Sequence, residues 1–302
     1  MSYRVDRCIG CDDSSLDFRA AVEAPFVAAR AFQRRATVCR VAQCRGCGLI
    51  FFEERFEDRE AARLYANYRG EEYCRERRHW EPWYTRAFNA SLGGAAEMVA
   101  RRGVYHGILA SHAPDTLVDT VLDYGGDRGQ LMLGGPGRSH FVYDISGAEP
   151  EPEVVRIPAA TALDGRTFDL VLLCEVLEHL SAPLPVLAEV VSHVRPGGLL
   201  YVTVPNREFS LADLPTGAWY AAWLRMILCN RIITITADFW SSGVLAKFGH
   251  VPPLGFVKLH EHINFFDPAS LSAILRRAGL EVLACEPYGS ESGLVALGRR
   301  PA

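Results

Sequence analysis

Beyond Thr116 the chain alternates short apolar runs with helical stretches, the pattern of a parallel sheet joined by crossover helices. The predicted strands are Thr120 to Tyr124, His140 to Asp144, Glu153 to Ile157, Phe168 to Cys174, Leu199 to Val204, Leu280 to Glu286 and Leu294 to Gly298. Before this region the period changes. Phe56 to Arg78 and Tyr84 to Leu109 place apolar residues at three- and four-residue steps in stretches rich in Ala, Glu, Arg and Leu, which predicts helices broken at Pro82 and at Gly93-Gly94. The run Leu49-Ile50-Phe51-Phe52 predicts a strand continuing out of a cysteine-bearing segment. Tyr65, Tyr68, Tyr73, Trp80, Trp83 and Tyr84 predict an aromatic packing seam, with a lid as the alternative. Arg75-Glu76-Arg77-Arg78-His79 reads as a solvated helix face or, alternatively, as a contact for a phosphorylated substrate.

Composition narrows the setting. With 302 residues, of which 49% are hydrophobic, the chain can fill one large core or two. The first residues lack an apolar leader and no stretch is long and uncharged enough to span a bilayer, so a cytoplasmic protein without a membrane span is expected. A net charge of −4 argues against nucleic acid as the partner.

Cys8-x-x-Cys11 and Cys44-x-x-Cys47 then acquire a meaning. A two-residue gap lets both thiolates of a pair reach one tetrahedral ion, and two pairs close the shell with no open position, so the expectation is structural zinc. Free cysteines or two disulfides are the alternatives, and a reducing compartment favours metal. Cys39 is the substitute ligand; Cys74, Cys174, Cys229 and Cys285 are expected as small buried apolar residues.

The turn Asp123-Tyr124-Gly125-Gly126-Asp127-Arg128-Gly129 follows a strand, and its glycines let backbone approach a ligand where a Cβ would collide. Asp144, at the end of the next strand, can accept hydrogen bonds from both hydroxyls of a ribose. The turn lacks the G-x-G-x-x-G spacing of a dinucleotide site, which makes a nicotinamide cofactor the weaker choice.

From Thr116 onward these residues resemble the class I S-adenosylmethionine-dependent methyltransferases. Asp123, Gly125 and Gly129 fall on the acid and glycines of that family's D-x-G-x-G-x-G loop, with Gly126 beside them and Asp127 in place of the middle glycine. Asp144 matches the ribose acid, Phe168 to His179 the fourth strand and its turn, and Arg195-Pro196-Gly197-Gly198 the entry to the fifth strand. The resemblance implies an α/β, Rossmann-like seven-stranded sheet, S-adenosylmethionine as cofactor, and Glu175 near its methionine end. The implied domains are a zinc-ribbon-like module over 1–55, a helical linker or lid over 56–112 and the methyltransferase domain over 113–302.

Cys44 to Phe51 ahead of such a core is similar to the zinc domain of sugar C-methyltransferases from deoxysugar and glycan pathways. Leu259-His260-Glu261-His262-Ile263-Asn264-Phe265-Phe266 strengthens the similarity, because a Glu-His pair there lies in the family's sugar pocket. By that resemblance His262 is the candidate base and Glu261 its orienting partner, with His179 second. The family's preceding tyrosine and further C-terminal domain have no counterpart, and E-H-x-x-F-F also occurs in O-methyltransferases, so carbon and oxygen both stay open as acceptor atoms. The sulfonium carries its own leaving group, so the protein must align the acceptor and remove a proton, a task suited to histidine near neutral pH.

Residues 205–258 form an insertion rich in Trp, Phe and Ile, expected to cover a substrate or to form a homodimer surface. The expected acceptor is a small molecule, a nucleotide-linked sugar or glycan precursor. Two other functions compete: a zinc-ribbon RNA methyltransferase, disfavoured by the acidic charge, and a non-catalytic binding protein retaining the fold, for which Asp127 is the support.

Overall fold

The computed structural model of the chain describes residues 3–91, 94–289 and 291–302; Gly93, one of the expected helix breakers, lies outside them. The chain forms two compact units, one of Met1–Cys8, Asp12–Leu92 and Arg207–Phe265 and the other of Ile9–Cys11, Gly93–Asn206 and Phe266–Ala302.

The second unit is built on a seven-stranded sheet. In spatial order its strands are Glu281–Tyr288, Gly293–Arg299, Val194–Pro205, Phe168–Cys174, Thr120–Tyr124, Ser139–Tyr143 and Val154–Arg156. The last five run parallel, and Gly293–Arg299 is antiparallel to both of its neighbours. All seven expected strands are present because central runs such as Leu170-Val171-Leu172-Leu173 are fully buried, which makes them continuously apolar rather than alternating. Val121, Leu170, Leu172, Leu199, Tyr201, Val295 and Leu297 form the core with Tyr105 and Ile108 of helix Ala95–His112.

The crossovers differ from expectation. Residues 125–138 carry only the short 3-10 turn Gln130–Met132, and among the crossovers of the parallel strands only Pro183–Ser192 is an α-helix. Six glycines and a proline between 125 and 137 explain the first case, since both residue types disfavour helix interiors. Reversal of strand order between Thr120–Tyr124 and Phe168–Cys174 leaves the carboxyl ends of those strands at the position where open α/β sheets bind ligands.

The first unit contains a five-stranded sheet in the order Lys258–Leu259, Leu16–Glu23, Val38–Cys44, Ile50–Phe52, Asn264–Phe265. Leu16 pairs with Cys44 and Val22 with Val38. Arg55, fully buried, donates to the carbonyls of Phe52 and Ile263 and to Asn264 Oδ1, tying two distant chain segments together. Helices Asp58–Tyr65, Glu71–Trp80, Ala218–Leu228 and Arg231–Phe248 belong to the same unit. The single helix expected over Phe56 to Arg78 is interrupted where Asn67 and Arg69 take positive φ, of 50° and 58°, a conformation asparagine tolerates better than most residues.

Candidate functional site

In the second unit, Asp123 is the penultimate residue of strand Thr120–Tyr124 and is 2% exposed, with Oδ1 lacking a hydrogen-bond partner. Its carboxylate fills the space a side chain at the next turn would need: a Cβ on Gly126 would lie 2.1 Å from Asp123 Cγ. Gly125 has φ of 79°, and a Cβ there would meet Val176 at 2.8 Å. Asp127 occupies the left-handed region as well, with φ of 52°, so the turn keeps a glycine-like backbone at the position where the resembled family has glycine. The Asp127 amide donates to Asp144 Oδ2 at 3.0 Å and the Ser146 amide to Oδ1 at 2.7 Å, which fixes the Asp144 carboxylate across from the turn.

Glu175, just beyond Phe168–Cys174, also has positive φ, of 57°. Its amide donates to the Thr203 carbonyl, and its carboxylate lies 3.9 Å from Arg101 Nη2. Glu178 is 1% exposed with both carboxylate oxygens lacking a hydrogen-bond partner, and His179 Nε2 lies 3.7 Å from it. Burial pushes the Asp123 carboxyl up to about 7, with Arg101 opposing and Asp144 and Asp127 adding to the rise. Burial, then Glu175, hold Glu178 well above the usual carboxylate range. Several acids thus share Arg101 as a neighbouring cation, so a positively charged ligand would relieve an electrostatic cost already present in the fold. Arg101 lies in a helix whose sequence gives no sign of such a role.

Glu261 and His262 lie in the first unit and differ in burial. Glu261 is buried, accepting from Tyr73 OH and from Arg77 Nη1, the latter at 2.9 Å, whereas His262 is exposed. Arg77 also donates to Glu81 at 2.7 Å, Lys258 joins Glu81 and Asp238 at 2.8 Å each, and His260 Nε2 is 3.0 Å from Glu81 without hydrogen-bond alignment. This network sets three carboxylates against Arg77, Lys258 and His260. Burial lowers the His260 pKa, but Glu81 and Glu261 outweigh it and hold it above 6.5. Burial also opposes ionisation of Glu261, yet His260, Arg77 and Tyr73 keep it well below the usual carboxylate range. Arg77 of the basic run is therefore committed inside the unit, while Arg75 is exposed beside Glu72. A cavity of about 540 Å³ borders the same helix, lined by Phe26, Arg30, Glu72, Glu76, His79 and Trp80 among others; Arg30 already donates to Glu76 and the Leu64 carbonyl.

Cys8, Cys11, Cys44 and Cys47 bring their sulfurs within 4.8 Å of one another. The Gly48 amide donates to the Cys44 carbonyl, the Cys47 amide approaches Cys44 Sγ at 3.5 Å, and Gly48 has φ of 80°, so a tight turn aims the second pair inward. Cys8 and Cys47 sulfurs are 3.6 Å apart, close to the about 3.8 Å edge of a tetrahedron with zinc–sulfur bonds of about 2.3 Å. Cys39 lies outside the tetrad, its thiol pushed well up by burial.

Comparison with known proteins gives the following matches. A family model described as a methyltransferase domain matches residues 75–284, more than half of the chain. A ubiquinone biosynthesis O-methyltransferase of Parvibaculum lavamentivorans is 35% identical over 91 residues, covering 26% of this chain and 35% of the relative, so the match spans about a third of that protein. Solved structures similar in part include an O-methyltransferase family protein of Burkholderia thailandensis, 17% identical with a TM-score of 0.41 over 68% of this chain and 58% of the other. A 1,6-didemethyltoxoflavin-N1-methyltransferase from the same organism is 19% identical with a TM-score of 0.41, over 67% and 79% of the two chains. With its seven-stranded mixed sheet and a family match over most of its length, the chain belongs to the methyltransferase-domain family, with the class I fold.

Proposed function

We propose that the protein is an S-adenosylmethionine-dependent methyltransferase acting on a carbon or hydroxyl oxygen of a small molecule, a nucleotide-linked sugar or glycan precursor. The observation that carries the cofactor reading is the buried Asp123 carboxylate, whose Oδ1 has no hydrogen-bond partner, beside a turn whose glycines leave no room for Cβ atoms. Those residues fit the group. Asp144 would hold the ribose hydroxyls, Gly125, Gly126 and Gly129 would admit the cofactor against the backbone, and Glu175 with Asp123 would favour its cationic amino acid end. When bound, the cofactor supplies an activated methyl group. The protein's share is to exclude water, align the acceptor and take up its proton.

His262 is the proposed base: it is exposed and next to the anchored Glu261, whose ties to Tyr73 and Arg77 fix the local backbone. Glu261 then acts as a positioning residue, and His179 is the second candidate. Cys8, Cys11, Cys44 and Cys47 would hold a structural zinc ion, the four sulfurs leaving no position for substrate. The sugar acceptor rests on the likeness of the cysteine module and the Glu261-His262 segment to sugar C-methyltransferases, and the name of the curated relative adds support for a hydroxyl oxygen.

Calorimetric titration with S-adenosylhomocysteine, with NAD as control, tests the cofactor. Micromolar binding of S-adenosylhomocysteine alone is expected; absence of binding overturns the reading in favour of a repurposed fold. Methyl transfer to a panel of nucleotide sugars should then be abolished in His262→Ala while S-adenosylhomocysteine affinity stays within about 2-fold, the range expected where uniform binding is untouched.

A further inference from the structure

Helix Arg231–Phe248 is built inside out. Thr234, Asp238 and Ser241, at helical spacing on one face, are buried in the first unit, while Ile232, Phe239 and Trp240 on the other face are 73%, 63% and 56% exposed. The polar interior face is satisfied. Asp238 pairs with Lys258, Ser241 Oγ accepts from the Phe256 amide at 3.0 Å, and Thr234 Oγ1 donates to the Ile227 carbonyl at 2.8 Å. Rotating the helix would break all three, so the outward apolar face is a fixed property of the fold. The preceding helix, Ala218–Leu228, adds exposed Trp219 and Met226. Apolar surface gathered in this way on one element marks a site of contact.

Charge identifies what the face would meet. Between residues 217 and 250 Asp238 is the sole acid, and it is buried against Lys258, while Arg225 and Lys247 are exposed and Arg231 donates to the His79 carbonyl. A two-fold dimer would place this patch against its own copy, bringing cations together with no exposed acid from these helices between them. An anionic lipid surface complements both parts, because aromatic side chains settle at the boundary of headgroups and acyl chains while arginine and lysine meet phosphates. No helix among the described residues is long and apolar enough to cross a membrane, so the contact is peripheral.

We propose that helices Ala218–Leu228 and Arg231–Phe248 dock the protein on an anionic bilayer surface, with Trp219, Phe239 and Trp240 entering the interface and Arg225 and Lys247 facing the headgroups. Co-sedimentation of the full chain with phosphatidylglycerol-rich vesicles, and with pure phosphatidylcholine vesicles as control, tests this. Binding is expected to the anionic vesicles, with a blue shift of tryptophan emission, and to weaken by at least 10-fold in a Phe239→Glu/Trp240→Glu variant whose thermal transition and circular dichroism are unchanged. A second variant, Arg225→Gln/Lys247→Gln, leaves the apolar face intact and should lose roughly 5-fold per residue. Equal binding by wild type and both variants, or none to anionic vesicles, overturns the proposal. So does a wild-type dimer in light scattering that the Phe239→Glu/Trp240→Glu variant disperses, which would assign the face to a second copy.

Discussion

Asp123 is a carboxylate that the fold holds in an unfavourable place. Its native pKa of about 7 lies above the 3.8 of an exposed aspartate, so between those values the folded state binds more protons than the unfolded one. The contribution of this carboxyl to stability must then fall as pH rises from about 4 to about 7 and level off above, by up to roughly 4 kcal/mol at 1.36 kcal/mol per unit. Asp123→Asn keeps the shape and removes the titration, so wild type should lose stability relative to the variant across that window. Urea unfolding at a series of pH values measures the difference, and a gap that does not change with pH would show that the carboxyl is not held in this way. Asp123 was legible in the sequence because a turn rich in glycine after an apolar strand is a local signal. The partners of Glu261 were not: Tyr73 and Arg77 lie 188 and 184 residues away, and no spacing rule links a helix near residue 75 to a bend near residue 261. Reading Glu261 and His262 as neighbours captured their order in the chain but not the buried network that separates their environments.

At the scale of elements, the strands were legible and their connections less so. Leu170 to Leu173 could be read because burial on both faces demands apolar residues throughout. Crossover helices were expected from the α/β alternation itself, yet the segment from Gly125 to Gly137 is too rich in glycine to form one. The orientation of Arg231–Phe248 was hidden for a related reason, since a helix that buries Asp238 and exposes Phe239 reverses the rule on which amphipathic reading depends. The turn itself offers a direct test. A Cβ at Gly126 would overlap the Asp123 carboxylate at 2.1 to 2.5 Å, and the carboxylate cannot retreat into a core that offers Oδ1 no partner. Gly126→Ala should therefore cost about 1–3 kcal/mol, the usual range for overpacking, and should weaken S-adenosylhomocysteine binding by displacing both turn and acid. Chemical denaturation and calorimetry on the same variant give the two values; unchanged stability with unchanged affinity would mean that the turn relaxes freely.

At the scale of the whole molecule, a different core lies behind each of the two chemistries read from the sequence. One gathers Phe26, Val41, Ile50, Phe52, Tyr73 and Leu259 around the five-stranded sheet that carries Cys44; the other gathers Val121, Leu170, Leu199 and Val295 in the seven-stranded sheet that carries Asp123. A ligand bound by the native state stabilises the structure that forms its site, so the two proposed ligands should protect different parts of the chain. Hydrogen exchange read by mass spectrometry can follow both at once. Chelation should speed exchange in Val38–Cys44 and Ile50–Phe52, because the four sulfurs lose the ion that would tie their two segments together, and should leave Phe168–Cys174 protected. S-adenosylhomocysteine should slow exchange at 123–129 and 144–146 without affecting Val38–Cys44. If chelation leaves the cysteine segments as protected as before, their convergence is maintained by the surrounding sheet alone, through ladder pairs such as Leu16 with Cys44, and the four sulfurs do not depend on a metal for their positions.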